Sequence, residues 1–329
     1  PLKDVLSQQV QEPLEEREIQ AQIPKLTEIG GPISKPQRRR RRQNPYPRWT
    51  DIGIFKADSM RENLCDAFPH LLEKKIGWSA APQILVAGCG SGRHPLQTAR
   101  QYKDAKVLAI DPGLANLAYG ERKRRERKIG NVEFKQAGII ALGQFERRFN
   151  MIQCSGAPHM GDSHMDDPLA EWRLLAGLLN PHGFMLVGLY SERARKSIDE
   201  ARAYIKEKGY ASTPGGMRQC RSDIMSLPEG HPAKAVEKWP DFFTMPGFRG
   251  MIFNVREHRF TLPQIAAALD ALGLEFVGFN DLERRISQDY RARFPDDKRM
   301  TCLDLWDAYE RDNPGAFSGI YQFWAYKPG

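Results

Sequence analysis

The sequence predicts an α/β fold, a doubly wound sheet of mostly parallel strands with helices on both faces, and three observations predict it. Short apolar runs of strand length alternate with stretches of helical period along most of the 329 residues. The first well-defined run, Gln83-Ile-Leu-Val-Ala87, enters a glycine turn, Gly88-Cys-Gly-Ser-Gly92, that opens directly into a helix. The second, Lys106-Val-Leu-Ala-Ile-Asp111, ends in a carboxylate nineteen positions after Gly92.

Each element follows from its local pattern. From Lys3 to Ile23 the apolar residues Val5, Leu6, Val10, Leu14 and Ile19 recur at helical spacing, which predicts one amphipathic helix ending before Pro24. A linker, Gly30 to Pro36, and the run Arg38 to Arg42 follow, so residues 1–50 read as a lead-in with a docking segment. The Rossmann-like core is expected over 51–209, with strands near 83–87, 106–111, 132–136, 149–155 and 182–190. Helices are expected near 93–103, 114–128, 167–179 and 192–208. Residues 261–329 complete the core with a helix at 262–272 and strands at 274–279 and 320–326. Two insertions, 210–260 and 281–318, break the alternation. They are expected on the substrate side, because loops above the carboxyl ends of such strands hold ligands. Their aromatics Trp239, Phe242, Phe243, Trp306 and Tyr309 fit either substrate contact or a satellite core.

Composition narrows the function classes. Hydrophobic content of 41% is ample for a core, and mean hydropathy of −0.56 without a long apolar run predicts no transmembrane helix. The chain opens at Pro1 with no apolar leader, and is expected to be a piece or a processed form of a longer protein. Cys65, Cys89, Cys154, Cys220 and Cys302 are scattered and never paired as C-x-x-C, which points to a reducing, cytoplasmic setting and to no metal site. Cys89 and Cys154 read as small packing residues rather than nucleophiles. The net charge is +8, and Arg38, Arg39, Arg40, Arg41 and Arg42 supply five of the positive charges, a candidate contact for nucleic acid. The second basic cluster, Arg122 to Lys128, reads as a solvated helix face.

The glycine spacing selects the cofactor. A dinucleotide fingerprint would need a third glycine at position 93, where this chain has Arg93, and no G-K-[ST] follows for a phosphate loop. The spacing Gly88-x-Gly90-x-Gly92 is the one associated with S-adenosylmethionine (SAM), and Asp111 is placed to accept from ribose hydroxyls.

With these residues the chain resembles the class I SAM-dependent methyltransferases, and more narrowly the bacterial methyltransferase domain often found behind tetratricopeptide repeats. The closer resemblance rests on Gln9-Val-Gln-Glu-Pro-Leu-Glu-Glu-Arg17, Asn44-Pro-Tyr-Pro-Arg-Trp49, Val86-Ala-Gly-Cys-Gly-Ser-Gly92, Gly188-Leu-Tyr-Ser191, Glu257-His-Arg-Phe-Thr-Leu-Pro-Gln264 and Tyr321-Gln-Phe-Trp324. It implies seven strands with the last antiparallel, SAM as cofactor, and helical repeats preceding this chain. It implies no defined substrate.

The cofactor set is therefore Gly88, Cys89, Gly90, Ser91, Gly92, Asp111, Pro112, Gly138 and Ser155. Two customary acids of the wider class are replaced, by Val86 before the loop and by Gly138 after the third strand. After the fourth strand, His159 is the first candidate base, with His164 second and Asp162 as orienting partner. Tyr46 and Trp49 from one side, and Arg256 and His258 from the other, are the substrate-side set, with Arg48 and Arg259 beside them. The sequence thus favours an O- or N-methyltransferase whose acceptor it does not identify, a protein or peptide being one candidate. A competing reading is an inactive relative that binds RNA through its arginines, and an oxidoreductase ranks last because of Arg93.

Overall fold

The computed structural model describes residues 6–27, 45, 47–53, 56–155, 167, 169–253, 258–317 and 319–329. A π-helical turn at Ser7–Gln11 leads into α1 (Glu12–Gln22), whose Pro13 sits in the first turn where its missing N–H costs nothing. A capping box of Ser59 with Glu62 starts α2 (Met60–Ala67). The apolar runs then become β1 (Gln83–Ala87), β2 (Lys106–Asp111), β3 (Val132–Gln136), β4 (Phe149–Cys154) and β5 (Leu179–Ser191). Between them lie α3 (Arg93–Gln101), α4 (Leu114–Glu126) and α5 (Ala170–Gly177). After β5 come α6 (Lys196–Lys208), α7 (Pro214–Met225), α8 (Met245–Ile252), β6 (Arg259–Phe260) and α9 (Leu262–Leu272). The chain closes with β7 (Glu275–Phe279), α10 (Arg284–Arg293), α11 (Leu303–Asp312) and β8 (Ile320–Tyr326).

The strands pair in the order β3-β2-β1-β4-β5-β8-β7. β1 to β5 are mutually parallel, and β8 runs antiparallel to both its neighbours. The predicted seven strands are all present, joined by the two-residue β6, which pairs parallel with β5. From β1 the chain first builds outward through β2 and β3, then returns to add β4 and β5 on the other side. That reversal leaves a crevice outside the carboxyl ends of β1 and β4, the place where doubly wound sheets bind ligands.

Consecutive residues of β1 alternate between two cores, as the pleat requires. Leu85 and Ala87 join the face covered by α5, α9, α10 and α11, whereas Ile84 and Val86 join the face covered by α2, α3 and α4. The β3 edge is closed by the lead-in: Gln136 donates its N–H to the Pro24 carbonyl (2.8 Å), and the Leu26 N–H donates to the Gln136 carbonyl (2.9 Å).

The described part of the first insertion is ordered into α7, α8 and two short 3-10 turns, with its own buried cluster around Met217, Cys220, Ile224, Phe242 and Phe248 packed on α6. Its aromatics therefore divide. Phe242 is core, while Phe243 is 60% exposed. In the second insertion Trp306 stacks on Tyr290 at 3.7 Å between ring centres, and both are fully buried with Tyr309 beside them. The satellite-core alternative holds for these residues.

The basic helix also departs from its expectation as a solvated face. Arg122 and Lys123 on α4 are buried, because α1 packs across them. Arg122 pairs with Glu12 (2.8 Å) and with the equally buried Glu16 (3.1 Å), while Arg124 and Arg125 pair with Glu121 at 2.7 and 2.8 Å. The cluster's charge is neutralised largely by the chain's own acids.

Candidate cofactor and active site

The glycine turn owes its shape to three left-handed residues, with φ of +69° at Gly88, +54° at Gly90 and +86° at Gly92. The last two have different reasons for being glycine. A Cβ on Gly92 would lie 2.7 Å from the Cα of Gly120 and against the Phe134 ring, so Gly92 lets α3 and α4 approach each other. A Cβ on Gly90 would meet nothing within 4 Å; there the backbone faces open space.

Asp111 braces this turn. Its carboxylate, 2% exposed at the end of β2, accepts from the Gly90 N–H (3.0 Å) and from the Gly113 N–H (2.7 Å). One buried acid thus ties the turn after β1 to the turn after β2. Each carboxylate oxygen can accept more than one hydrogen bond, so the group that braces the turn also suits a ribose diol. Cys89 is buried within the turn, and burial first, the Asp111 charge second, push its thiol well above the usual range, which makes it a packing residue. Pro112 turns its carbonyl to Gln136 Nε2 (2.9 Å), a lock between the ends of β2 and β3. At Gly138, beyond β3, a Cβ would again meet nothing within 4 Å, so the space where the wider class often has an acid is open.

The lead-in segment reaches the turn from behind. Trp49 Nε1 donates to the Ser91 carbonyl (3.1 Å), and Ser91 Oγ donates to the Pro47 carbonyl (2.6 Å). The Trp49 N–H donates to the Tyr119 hydroxyl (3.0 Å), which in turn donates to the Trp49 carbonyl. Trp49 is buried in this contact, so the structure places it as a brace for the turn. Arg48 joins the α1 acids through Glu16 at 2.7 Å. A groove of roughly 570 Å³ between α1 and α4 is lined by Glu12, Arg48, Trp49 and Tyr119; it belongs to this seam and not to the crevice above the turn.

On the β4 side, Ser155 follows directly after the strand, and its Oγ lies 3.2 Å from His94 Nδ1 in the first turn of α3. Gly188 on β5 permits this loop, since a Cβ there would fall 2.5 Å from the Ser155 carbonyl oxygen. His94 is half-buried, and loss of hydration lowers its pKa to about 4, so it is neutral near pH 7. Sequence reasoning passed over His94; its position two residues beyond Gly92 was the available signal.

His258 stands at the entrance to β6, beside the carboxyl end of β5, and its Nε2 is buried without a partner among the described residues. Tyr46, His159, Asp162, His164, Arg256 and Arg38 to Arg42 lie outside the described residues. Among the described residues no group of His, Cys, Asp and Glu is arranged to hold a metal ion, and no helix is long and apolar enough to cross a membrane.

Residues 84–183 match the family model described as a methyltransferase domain. An uncharacterized protein of Synechococcus sp. is 27% identical over 210 residues, covering 62% of this chain and 49% of that one. A ubiquinone biosynthesis O-methyltransferase of Acinetobacter baumannii is 27% identical over 113 residues, or 34% of this chain and 45% of the enzyme. The chain spans about half the length of the curated relatives it matches. Among solved structures, PKMT2 from Rickettsia typhi in complex with AdoHcy superposes with a TM-score of 0.61 at 16% identity, over 86% of this chain and 55% of that one.

Proposed function

We propose that this chain, whose residues 84–183 match a methyltransferase domain, transfers the methyl group of SAM to an oxygen or nitrogen atom of a protein or peptide. One observation carries the reading: a buried carboxylate at the end of β2 organises an open-faced glycine turn at the reversal point of the sheet. The donor set fits the cofactor. Gly90 leaves room for close approach, Asp111 suits the ribose, and the Gly138 side offers space for the adenine.

Bound SAM supplies a methyl carbon activated by its sulfonium. The chain's own task is alignment: the turn and Asp111 fix one end of the ligand, while Ser155 and His94 border the other. His94 is too weak a base near neutral pH to remove a proton. That role is assigned to His159, with Asp162 as its orienting partner. We assign the layer that α7 and α8 build on α6 to the acceptor side.

Methyl-labelled SAM incubated with the full chain and a panel of protein, peptide and small phenolic acceptors tests this reading. The account expects label in protein or peptide, abolished by Asp111→Ala. Label in the phenol alone would move the acceptor class, and no SAM consumption with any acceptor would remove the activity.

A further inference from the structure

Two polar rungs cross the otherwise apolar interface between α3 and β4. Thr98 Oγ1 donates to Gln153 Oε1 (2.6 Å) in the lower rung, and His94 pairs with Ser155 (3.2 Å) in the upper. The spacing explains the ladder: His94 and Thr98 are one helical turn apart, and Gln153 and Ser155 share one face of the extended chain. The lower rung is buried on both sides, and a satisfied polar pair in a core fixes geometry. The upper rung reaches the crevice. Nδ1 of His94 is taken by Ser155, while Nε2 has no partner among the described residues and is not sealed from solvent.

The order of strands locates what this nitrogen faces. Asp111 ends β2 and Ser155 follows β4, with β1 and its glycine turn between them. Two strand spacings amount to about 10 Å. The Asp111 side chain, a hydrogen bond and a ribose carrying sulfur on its 5′ carbon together fill that span, so a ligand held by Asp111 brings its sulfur toward His94 and Ser155. We propose that His94, held by Ser155, is a specificity-determining residue that faces the sulfonium end of the cofactor and admits its positive charge. The inference rests on the SAM reading of the same crevice. A neutral imidazole offers a lone pair or an N–H without repulsion, whereas a cation in its place would oppose a sulfonium and leave the product, adenosylhomocysteine, whose sulfur carries no charge, almost untouched.

Calorimetry on the full chain with SAM and with adenosylhomocysteine tests this. His94→Lys is expected to weaken SAM binding on the order of tenfold or more, while adenosylhomocysteine changes by less than about threefold. His94→Asn, neutral and hydrogen-bonding, should keep both within about threefold. Equal losses for the two ligands in His94→Lys, or none, would overturn the assignment. Should the lysine variant not fold, the imidazole nitrogen resonances of wild-type His94 provide the readout. They should move further with SAM than with adenosylhomocysteine, and resonances that stay still overturn the proposal. Failure of wild-type protein to bind either ligand is a separate result, and it contradicts the SAM reading itself.

Discussion

Gly90 and Gly92 share a left-handed backbone, yet alanine at each should produce a different defect. At Gly92 the new methyl collides with the Gly120 backbone, which α3 and α4 cannot relieve without moving apart. Gly92→Ala should cost at least about 2–3 kcal/mol, backbone strain plus overpacking, seen as a lowered midpoint in urea unfolding. At Gly90 the methyl points into open space, so Gly90→Ala should cost only about 1 kcal/mol of strain but weaken SAM binding. Equal stability losses would contradict this division of roles. His94 adds a pH dependence. Its folded pKa of about 4 lies below the ordinary 6.5, so the folded protein disfavours its protonation. The stability linked to His94 is complete above about pH 6.5 and declines as pH falls toward 4, by about 2 kcal/mol between pH 7 and 4.5. Urea unfolding of His94→Asn should lack that part of the decline; identical pH profiles would refute it. The glycines were legible because a turn code is local. The His94–Ser155 pair was not, since its members lie 61 positions apart and meet only through the sheet.

Among the elements, α1 matters to the site although it never reaches the crevice. It clamps α4 through Glu12 and Glu16, and Arg48 carries the same acids to Trp49 and hence to Ser91. The sequence showed an amphipathic helix and a basic helix, but nothing in either pattern said that they meet. Glu16 and Arg122 are 106 positions apart, and an arginine on a helix facing water looks the same as one facing a buried glutamate. Glu16→Ala leaves Arg122 buried with a weakened partner set, at a cost of about 3–5 kcal/mol. Hydrogen exchange should then show the Trp49 amide opening with this loss, and SAM affinity should fall with it. Unchanged exchange at Trp49 would disconnect the helix from the turn.

At the scale of the whole molecule, the strands and their mostly parallel sheet were readable from apolar runs, because a parallel strand buried on both faces leaves a continuous signature, whereas the order of the strands depends on pairings that no single run carries. The insertions were not, since aromatic and charged residues mark a substrate wall and a satellite core alike. Burial decides it: α10 and α11 are cemented by Tyr290, Trp306 and Tyr309, and Ser191, Arg193 and Tyr321 converge on the fully buried Glu310. That network joins the second insertion to the ends of β5 and β8, and it needs no ligand to be satisfied. We assign the chemistry to the crevice between Asp111 and Ser155. Titration of the full chain with SAM in a calorimeter, wild type beside Gly90→Ala, tests that claim most directly. The account predicts one saturable site per chain, weakened at least about tenfold in a variant whose unfolding midpoint shows it still folded. Absence of binding to the wild type at millimolar SAM, or equal affinity in both proteins, would contradict it.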